Sequence, residues 1–305
     1  MRIILLGPQR RPTLEGVARS LGFSGPVAAV TAGWQEREPD DAELVALLEG
    51  RAVNLALYRR WLDVRDRDPE YRAGERDLAA VLAELQEIYL LRLDYALQAV
   101  YAVQRRSASA SASAGALGEA VEAVRELDAA HLSRVNGARG EFFQRLVPHE
   151  RPVIAGHRAE VSAVLADAAA LVIAGGHVGV LAEVLHLFNI AAALRSPVIA
   201  WSAGAMALAD RIVLFGDRSP RGPGHAEVFG SGLSLLRDVV LLPHARARLL
   251  LDDTARMAVF ARRFAPARCV PLEAGTRIDV SADGAWPPGI RVLGEDGHVI
   301  AREAA

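Results

Sequence analysis

The chain contains no lysine; all 35 of its basic residues are arginine. A Ser–Lys dyad, a Schiff-base lysine and a phosphate-loop lysine are therefore excluded. Cysteine is almost absent as well. Cys269 is the only one in 305 residues, so there is no internal disulfide and no cysteine-built metal site. Neither sign of charge dominates. The formal net charge of −2 gives no electrostatic reason to expect nucleic acid as a partner. Long unbroken apolar runs are missing too. Residues 171–209 are strongly apolar, but Glu183, Arg195, Pro197 and several glycines interrupt them, which argues against a membrane span. The apolar start at Ile3 is too short for a signal peptide and reads as a first buried strand. A cytoplasmic protein is the expectation.

What is present is core-forming residue, 51% of the chain, enough for one large α/β domain or two small ones. Residues 1–58 read as βαβαβ. Strands are predicted at Arg2–Leu6, Val27–Thr31 and Val53–Tyr58, with helices at Thr13–Leu21 and Asp41–Glu49. Residues 59–150 change character. Asp68-Pro69 is a helix-start signal. From Leu78 through Leu82, Leu85, Tyr89, Leu93, Ala96, Val100 and Val103 the apolar residues recur at spacings of three and four. The Ser/Ala alternation from Ser107 to Ala114 reads as a flexible turn. A second helical stretch carries Leu117, Val121, Val124, Leu127 and Val135. Together these predict a helical hairpin inserted into an α/β domain, and a structural or oligomerisation arm is favoured over a substrate lid. Residues 151–305 return to strands and helices, ending in strands at Arg277–Val280, Ile290–Leu293 and Val299–Arg302. The alternation predicts a mostly parallel sheet covered by helices on both faces. The domain reading is 1–58 with 151–305, and 59–150 as the insertion.

The chemistry concentrates at Val198-Ile199-Ala200-Trp201-Ser202-Ala203-Gly204-Ala205-Met206. A β-branched run feeds a serine flanked by small residues, and a helix-forming stretch follows. That is the pattern of a nucleophile elbow, in which a sharp strand-to-helix turn pushes a hydroxyl out of the sheet. The Ala203 amide would lie at a helix N-terminus, free to face a developing oxyanion. With lysine absent, a histidine is the base such a serine needs. Of the eight histidines, His131, His149 and His157 lie in or next to the insertion and His298 in the final hairpin, which leaves His177, His186, His225 and His244. His244 follows the apolar run Val239–Pro243, at the carboxyl end of a strand, where open α/β sheets carry their sites. Asp217 follows the predicted strand Arg211–Phe215 in the same way, with Asp210 and Asp238 as weaker acids. The glycine loop Gly175-Gly176-His177-Val178-Gly179 also follows a buried strand. Its amides could supply a second oxyanion donor. Read as a dinucleotide fingerprint, it lacks the acid needed some 20 residues later.

These segments together resemble peptidase family S51, the serine peptidases that include dipeptidase E and cyanophycinase. Ala170–Gly176 resembles the family's strand and glycine loop. Trp201-Ser202-Ala203-Gly204-Ala205 resembles its nucleophile segment, and Leu242-Pro243-His244 its histidine segment. Asp217 falls where dipeptidase E carries its triad acid. The resemblance implies a class I glutamine amidotransferase-like fold and a triad of Ser202, His244 and Asp217. It also implies an oxyanion hole of Gly176 and Ala203, and hydrolysis of small peptides or amide-linked acidic substrates with neither cofactor nor metal. His177, which stands where the family often has Asn, together with Arg246 and Arg248, is expected to bind substrate; Arg256 is a further cation nearby. Ala174 replaces the family's first glycine. The second hypothesis is a non-catalytic member that acts in binding or assembly through residues 59–150. An amidotransferase-like enzyme is disfavoured, because that chemistry uses a cysteine and Cys269 is far from the elbow.

Overall fold

A computed structural model of the chain describes residues 1–9, 12–106, 110–217 and 224–302. The N-terminal part runs β1 (Ile3–Leu6), α1 (Leu14–Leu21), β2 (Val27–Val30), α2 (Ala42–Leu47), β3 (Ala52–Asn54) and α3 (Leu57–Arg67). Two long helices follow, α4 (Pro69–Gln104) and α5 (Ala110–Leu146). Next come α6 (Pro152–Asp167), β4 (Ala170–Ile173), α7 (Val178–Leu187), α8 (Ile190–Ala193), β5 (Val198–Trp201) and α9 (Ala203–Met206). The rest comprises β6 (Ile212–Leu214), β7 (Glu227–Gly230), β8 (Val239–Pro243), α10 (Ala245–Arg248), α11 (Thr254–Phe264) and β9 (Arg268–Leu272), then β10 (Arg277–Val280), β11 (Ile290–Leu293) and β12 (Val299–Arg302).

The architecture is mixed α/β with a parallel-rich sheet. Six strands lie in the order β10-β1-β5-β4-β2-β3. All pair in parallel except β10, which runs antiparallel to β1. Strands β1, β2, β4 and β5 are buried along their whole length, as expected of strands covered on both faces. Alternate residues serve opposite faces. Ile4, Leu6, Val172 and Ile199 meet Leu14, Val17 and Leu44 of α1 and α2. Ile3, Leu5, Ile173 and Ala200 belong to a larger core that runs without a break into Tyr71, Tyr89, Leu93, Val124 and Phe142 of the two long helices.

Two expectations are corrected. The strand predicted at Val53–Tyr58 stops at Asn54, and Leu57–Arg67 is helix. The helix start is fixed from a distance: the Glu38 carboxylate accepts the amides of Tyr58 and Arg59, both at 2.9 Å. A residue twenty positions away thus does the work of an N-cap. Second, helix α5 already begins at Ala110, inside the Ser/Ala stretch read as a turn; residues 107–109 of that stretch lie outside the described residues. Strand β8 lies outside the main sheet. It pairs in parallel with β9 in a separate four-stranded sheet of order β12-β11-β9-β8, while β6 and β7 form a two-stranded ribbon.

Helix α4 is 36 residues long, about 54 Å at 1.5 Å per residue. Asp68 caps it by accepting the Tyr71 amide at 2.9 Å, with Pro69 in the first turn. The hairpin is tied to the α/β body by a buried polar cluster. The Arg263 guanidinium of α11 grips Asp128 of α5 with Nε to Oδ2 and Nη2 to Oδ1, both at 2.7 Å. Tyr89 of α4 donates its hydroxyl to Asp128 at 2.8 Å and accepts from Arg263 at 2.9 Å and from the Val228 amide at 3.0 Å. Every strong donor and acceptor of the cluster is matched, which is the condition for burying charge. Among the described residues, no helix is long and apolar enough to cross a membrane.

Candidate active site

The turn between β5 and α9 places Ser202 at φ 51°, ψ −123°. An L-residue avoids this region, at a cost on the order of 1–3 kcal/mol, and keeps to it only where the surroundings leave no alternative. The surroundings here are backbone packed against backbone. A methyl group on Gly204 would stand 2.4 Å from the Ile173 carbonyl oxygen and 2.6 Å from that of Ala174. One on Gly175 would stand 2.9 Å from the Ser202 Cβ. The serine is therefore seated directly against the glycine loop. Gly176 has φ 122°, and a methyl group there would fall 2.3 Å from the Gly33 carbonyl oxygen, which already accepts the His177 amide at 2.7 Å.

Ser202 opens into a cavity of about 820 Å³ that is also lined by Gly175, Gly176, Ala203, His244 and Arg248. The cavity lies beyond the carboxyl ends of β1, β2, β4, β5 and β8. The segments leaving β2 and β4 lead to α2 and α7 on opposite faces of the sheet, and such a divergence opens a crevice. His244 enters from the second sheet. It takes a left-handed turn at φ 57° just before α10, and its amide donates to the Leu272 carbonyl at 3.1 Å.

Asp217 is buried beside α10, its amide donating to the Arg248 carbonyl at 2.8 Å. Its Oδ1 accepts from Arg256 Nε at 3.1 Å and Nη2 at 2.5 Å, and its Oδ2 accepts the Leu250 amide at 3.1 Å. Burial works against the Arg256 charge, but the Asp217 carboxylate outweighs it, so the guanidinium titrates above its ordinary value. Arg256, expected among the cations near the substrate, is held by Asp217 instead.

Two of the expected substrate ligands lie elsewhere. His177 is not among the residues lining the Ser202 cavity. Its Nδ1 accepts the Val180 amide at 3.2 Å, capping α7, and its ring faces a different cavity with Gly179 and Phe229. The imidazole expected to meet substrate beside the serine serves the helix N-terminus. Arg246 lines a third cavity, with its amide bound to Glu273 Oε1 at 2.8 Å. Arg248 does line the Ser202 cavity, exposed, with its guanidinium 5.8 Å from the Phe215 ring centre.

The 3-10 turn Ala32–Arg37 after β2, and the residues just past it, also contribute to the site. Trp34, Arg37 and Asp40 line the Ser202 cavity, as does Gln9 after β1. The local signal was Gly33-Trp34 directly after a buried strand. Cys269, by contrast, is sealed in β9, where burial pushes its thiol up to about 12; it is not poised as a nucleophile. No cluster of three or more metal-binding side chains is gathered among the described residues.

No family model matches the chain, and no curated protein matches it. Among solved structures it is similar to the crystal structure of a peptidase from an acI-B1 Actinobacterium. The identity is 14%, covering 96% of this chain and 87% of that one, with a TM-score of 0.41. A likeness that distant fixes neither the fold family nor the chemistry.

Proposed function

We propose that the chain is a serine hydrolase of the S51 type on a class I glutamine amidotransferase-like frame. It would cut the peptide or amide bond of a small, acidic substrate through an acyl-enzyme. The observation that carries the proposal is the strained, positive-φ Ser202 at a strand-to-helix elbow, opening into the same cavity as His244. Strain of this kind at a cavity wall is characteristic of a positioned nucleophile.

In this reading His244 takes the proton of Ser202 while Oγ attacks the carbonyl carbon. The amides of Gly176 and Ala203 receive the oxyanion. His244 then returns the proton to the departing amine, and water releases the acyl group by the same steps. Asp217 orients the imidazole. A carboxylate has roughly four acceptor sites, and Arg256 and Leu250 take three of those on Asp217, so one is left for a ring N–H. Arg248 receives a substrate carboxylate at the cavity wall.

A fluorophosphonate probe tests the proposal. Labelling of the native chain and not of Ser202→Ala is expected. Folded native protein that resists the probe would sink it. A panel of peptides with and without N-terminal aspartate then reads the specificity.

One observation favours a second reading, a non-catalytic assembly protein whose partner is another copy of itself. Val81, Ile88, Leu91 and Tyr95 are exposed by 46, 57, 61 and 67% along one face of α4. Light scattering over a concentration series, with Ile88→Glu as the disrupting variant, separates the two readings.

A further inference from the structure

On the other side of the glycine loop, α3, α4, α7 and β7 enclose a cavity of about 440 Å³, within the size range of small-molecule sites. None of its lining residues lines the Ser202 cavity. Its floor is apolar, built from Leu78, Leu82, Val184 and Phe229. Its polar groups are unevenly satisfied. Glu75 accepts the Trp61 indole N–H and is paired in charge with Arg65, whose Nε lies 3.0 Å away but has no hydrogen-bond partner of its own. At Glu183, Arg139 donates to Oε2 at 2.7 Å, but Oε1 is buried without a hydrogen-bond partner. A buried, unmatched carboxylate oxygen is costly, and the cost is recovered when a donor arrives. His177 presents the opposite need. Because its Nδ1 accepts the Val180 amide, the neutral ring carries its proton on Nε2 and has that donor to give. Arg76, exposed on α4, adds a second donor at the wall.

An acceptor in need, two donors and an apolar floor describe one kind of molecule. We propose that this cavity binds a free α-amino acid with an apolar side chain. The ammonium meets Glu183, the carboxylate meets His177 and Arg76, and the side chain lies on Leu78, Leu82, Val184 and Phe229. A hydrocarbon would leave Glu183 unmatched. An acidic ligand would press against Glu75 and Glu183 together. A simple amine would leave His177 and Arg76 without an acceptor. Burial, with the nearby Glu183 charge as a further cause, already lifts the Glu75 carboxyl above its ordinary range, so an incoming cation relieves both acids. Occupancy bears on His177 and Gly179, immediately behind Gly176. The site does not depend on what Ser202 does.

Calorimetry and thermal shift on the full chain test it without turnover. L-leucine and L-phenylalanine are expected to raise the melting temperature and bind one to one. N-acetyl-L-leucine, which lacks the ammonium, and L-aspartate are expected to do neither. Glu183→Gln should weaken leucine at least about tenfold, the loss of one charged hydrogen bond, and Arg76→Ala, at an exposed position, should weaken it without threatening the fold. Ser202→Ala should bind leucine as the native chain does. The proposal is overturned if leucine and phenylalanine fail to bind at millimolar concentration. It is equally overturned if N-acetyl-leucine binds as well as leucine, or if both cavity variants bind leucine unchanged.

Discussion

At Ser202 the backbone is unusual and the side chain is left open; at Arg263 the reverse holds. Ser202 sits at φ 51° with its hydroxyl on a cavity, held there by glycines that let carbonyls approach. Arg263 lies in ordinary helix, but its side chain is 3% exposed and bound by Asp128, Tyr89 and the Ala226 carbonyl. Both are expensive local arrangements. The first leaves a hydroxyl at a cavity wall, whereas the second uses every polar atom to join α4, α5, α11 and β7. A protein that strains its backbone at one place and spends buried charge at another separates its cavity wall from its cohesion, and the two should fail independently.

The largest effects test that separation. With Ser202 as the nucleophile proposed above, Ser202→Ala is expected to lower amide hydrolysis by roughly 10⁴-fold or more, with the urea midpoint unchanged, since alanine keeps the Cβ packed against Gly175. Arg263→Met should do the opposite, lowering folding stability by about 3–5 kcal/mol because Asp128 is left buried and unpaired. Its kcat/KM, corrected for the folded fraction, should stay near the native value. Loss of turnover in fully folded Arg263→Met would break the comparison.

Much of this was legible in the sequence, for reasons that differ by element. Strands β1, β4 and β5 announce themselves as short apolar runs, and β10, β11 and β12 by their turns, with Gly284 and Gly297 at φ 86° and 85°. The long helices show through apolar spacings of three and four. The elbow is legible because its cause is local: Ala200, Ala203, Gly204 and Ala205 all lie within three residues of Ser202. What was missed is non-local. The cap of α3 comes from Glu38, the partner of Asp217 is Arg256 thirty-nine positions away, and the pairing of β8 with β9 has no signature in either strand. His177 is the exception. Its role in capping α7 was local, and its position behind the serine, in a loop that resembled a known one, drew attention to substrate instead.

Glycines give a mid-sized test of the same contrast. Gly204→Ala would drive a methyl group to 2.4 Å from the Ile173 carbonyl, and overpacking of this kind costs about 1–3 kcal/mol. Gly137, in α5, faces open space. Gly137→Ala should stabilise the hairpin by about 0.5–1 kcal/mol. Denaturant unfolding of the two variants should therefore give changes of opposite sign, and two destabilised proteins would mean that the hairpin glycine is under a constraint like that of the elbow.

The smallest expected effect is on pH, and it should fall on the hairpin junction rather than on the elbow. His131 stacks on Tyr89 with ring centres 4.0 Å apart, and its Nε2 lies 2.9 Å from Gln86 Oε1. Burial holds its titration below the ordinary histidine value, and the same cause lowers His225, which lies 3.3 Å from Asp94 of α4. Below about pH 6.5 the unfolded chain takes up protons that these folded rings resist, so stability falls as pH falls through that range. Glu227 of β7 acts in the other direction, because burial raises its carboxyl: protonation favours its folded form, and its contribution to stability grows on acidification. The carboxylate range lies lower than that of the histidines, so melting curves between pH 7.5 and 5.5 weight the histidines most heavily. The midpoint should decline across that interval, and His131→Phe, which keeps the stacking and removes the titration, should flatten the decline. A decline equally steep in His131→Phe would move the pH sensitivity away from the junction and weaken the contrast between a cohesive hairpin and a reactive elbow.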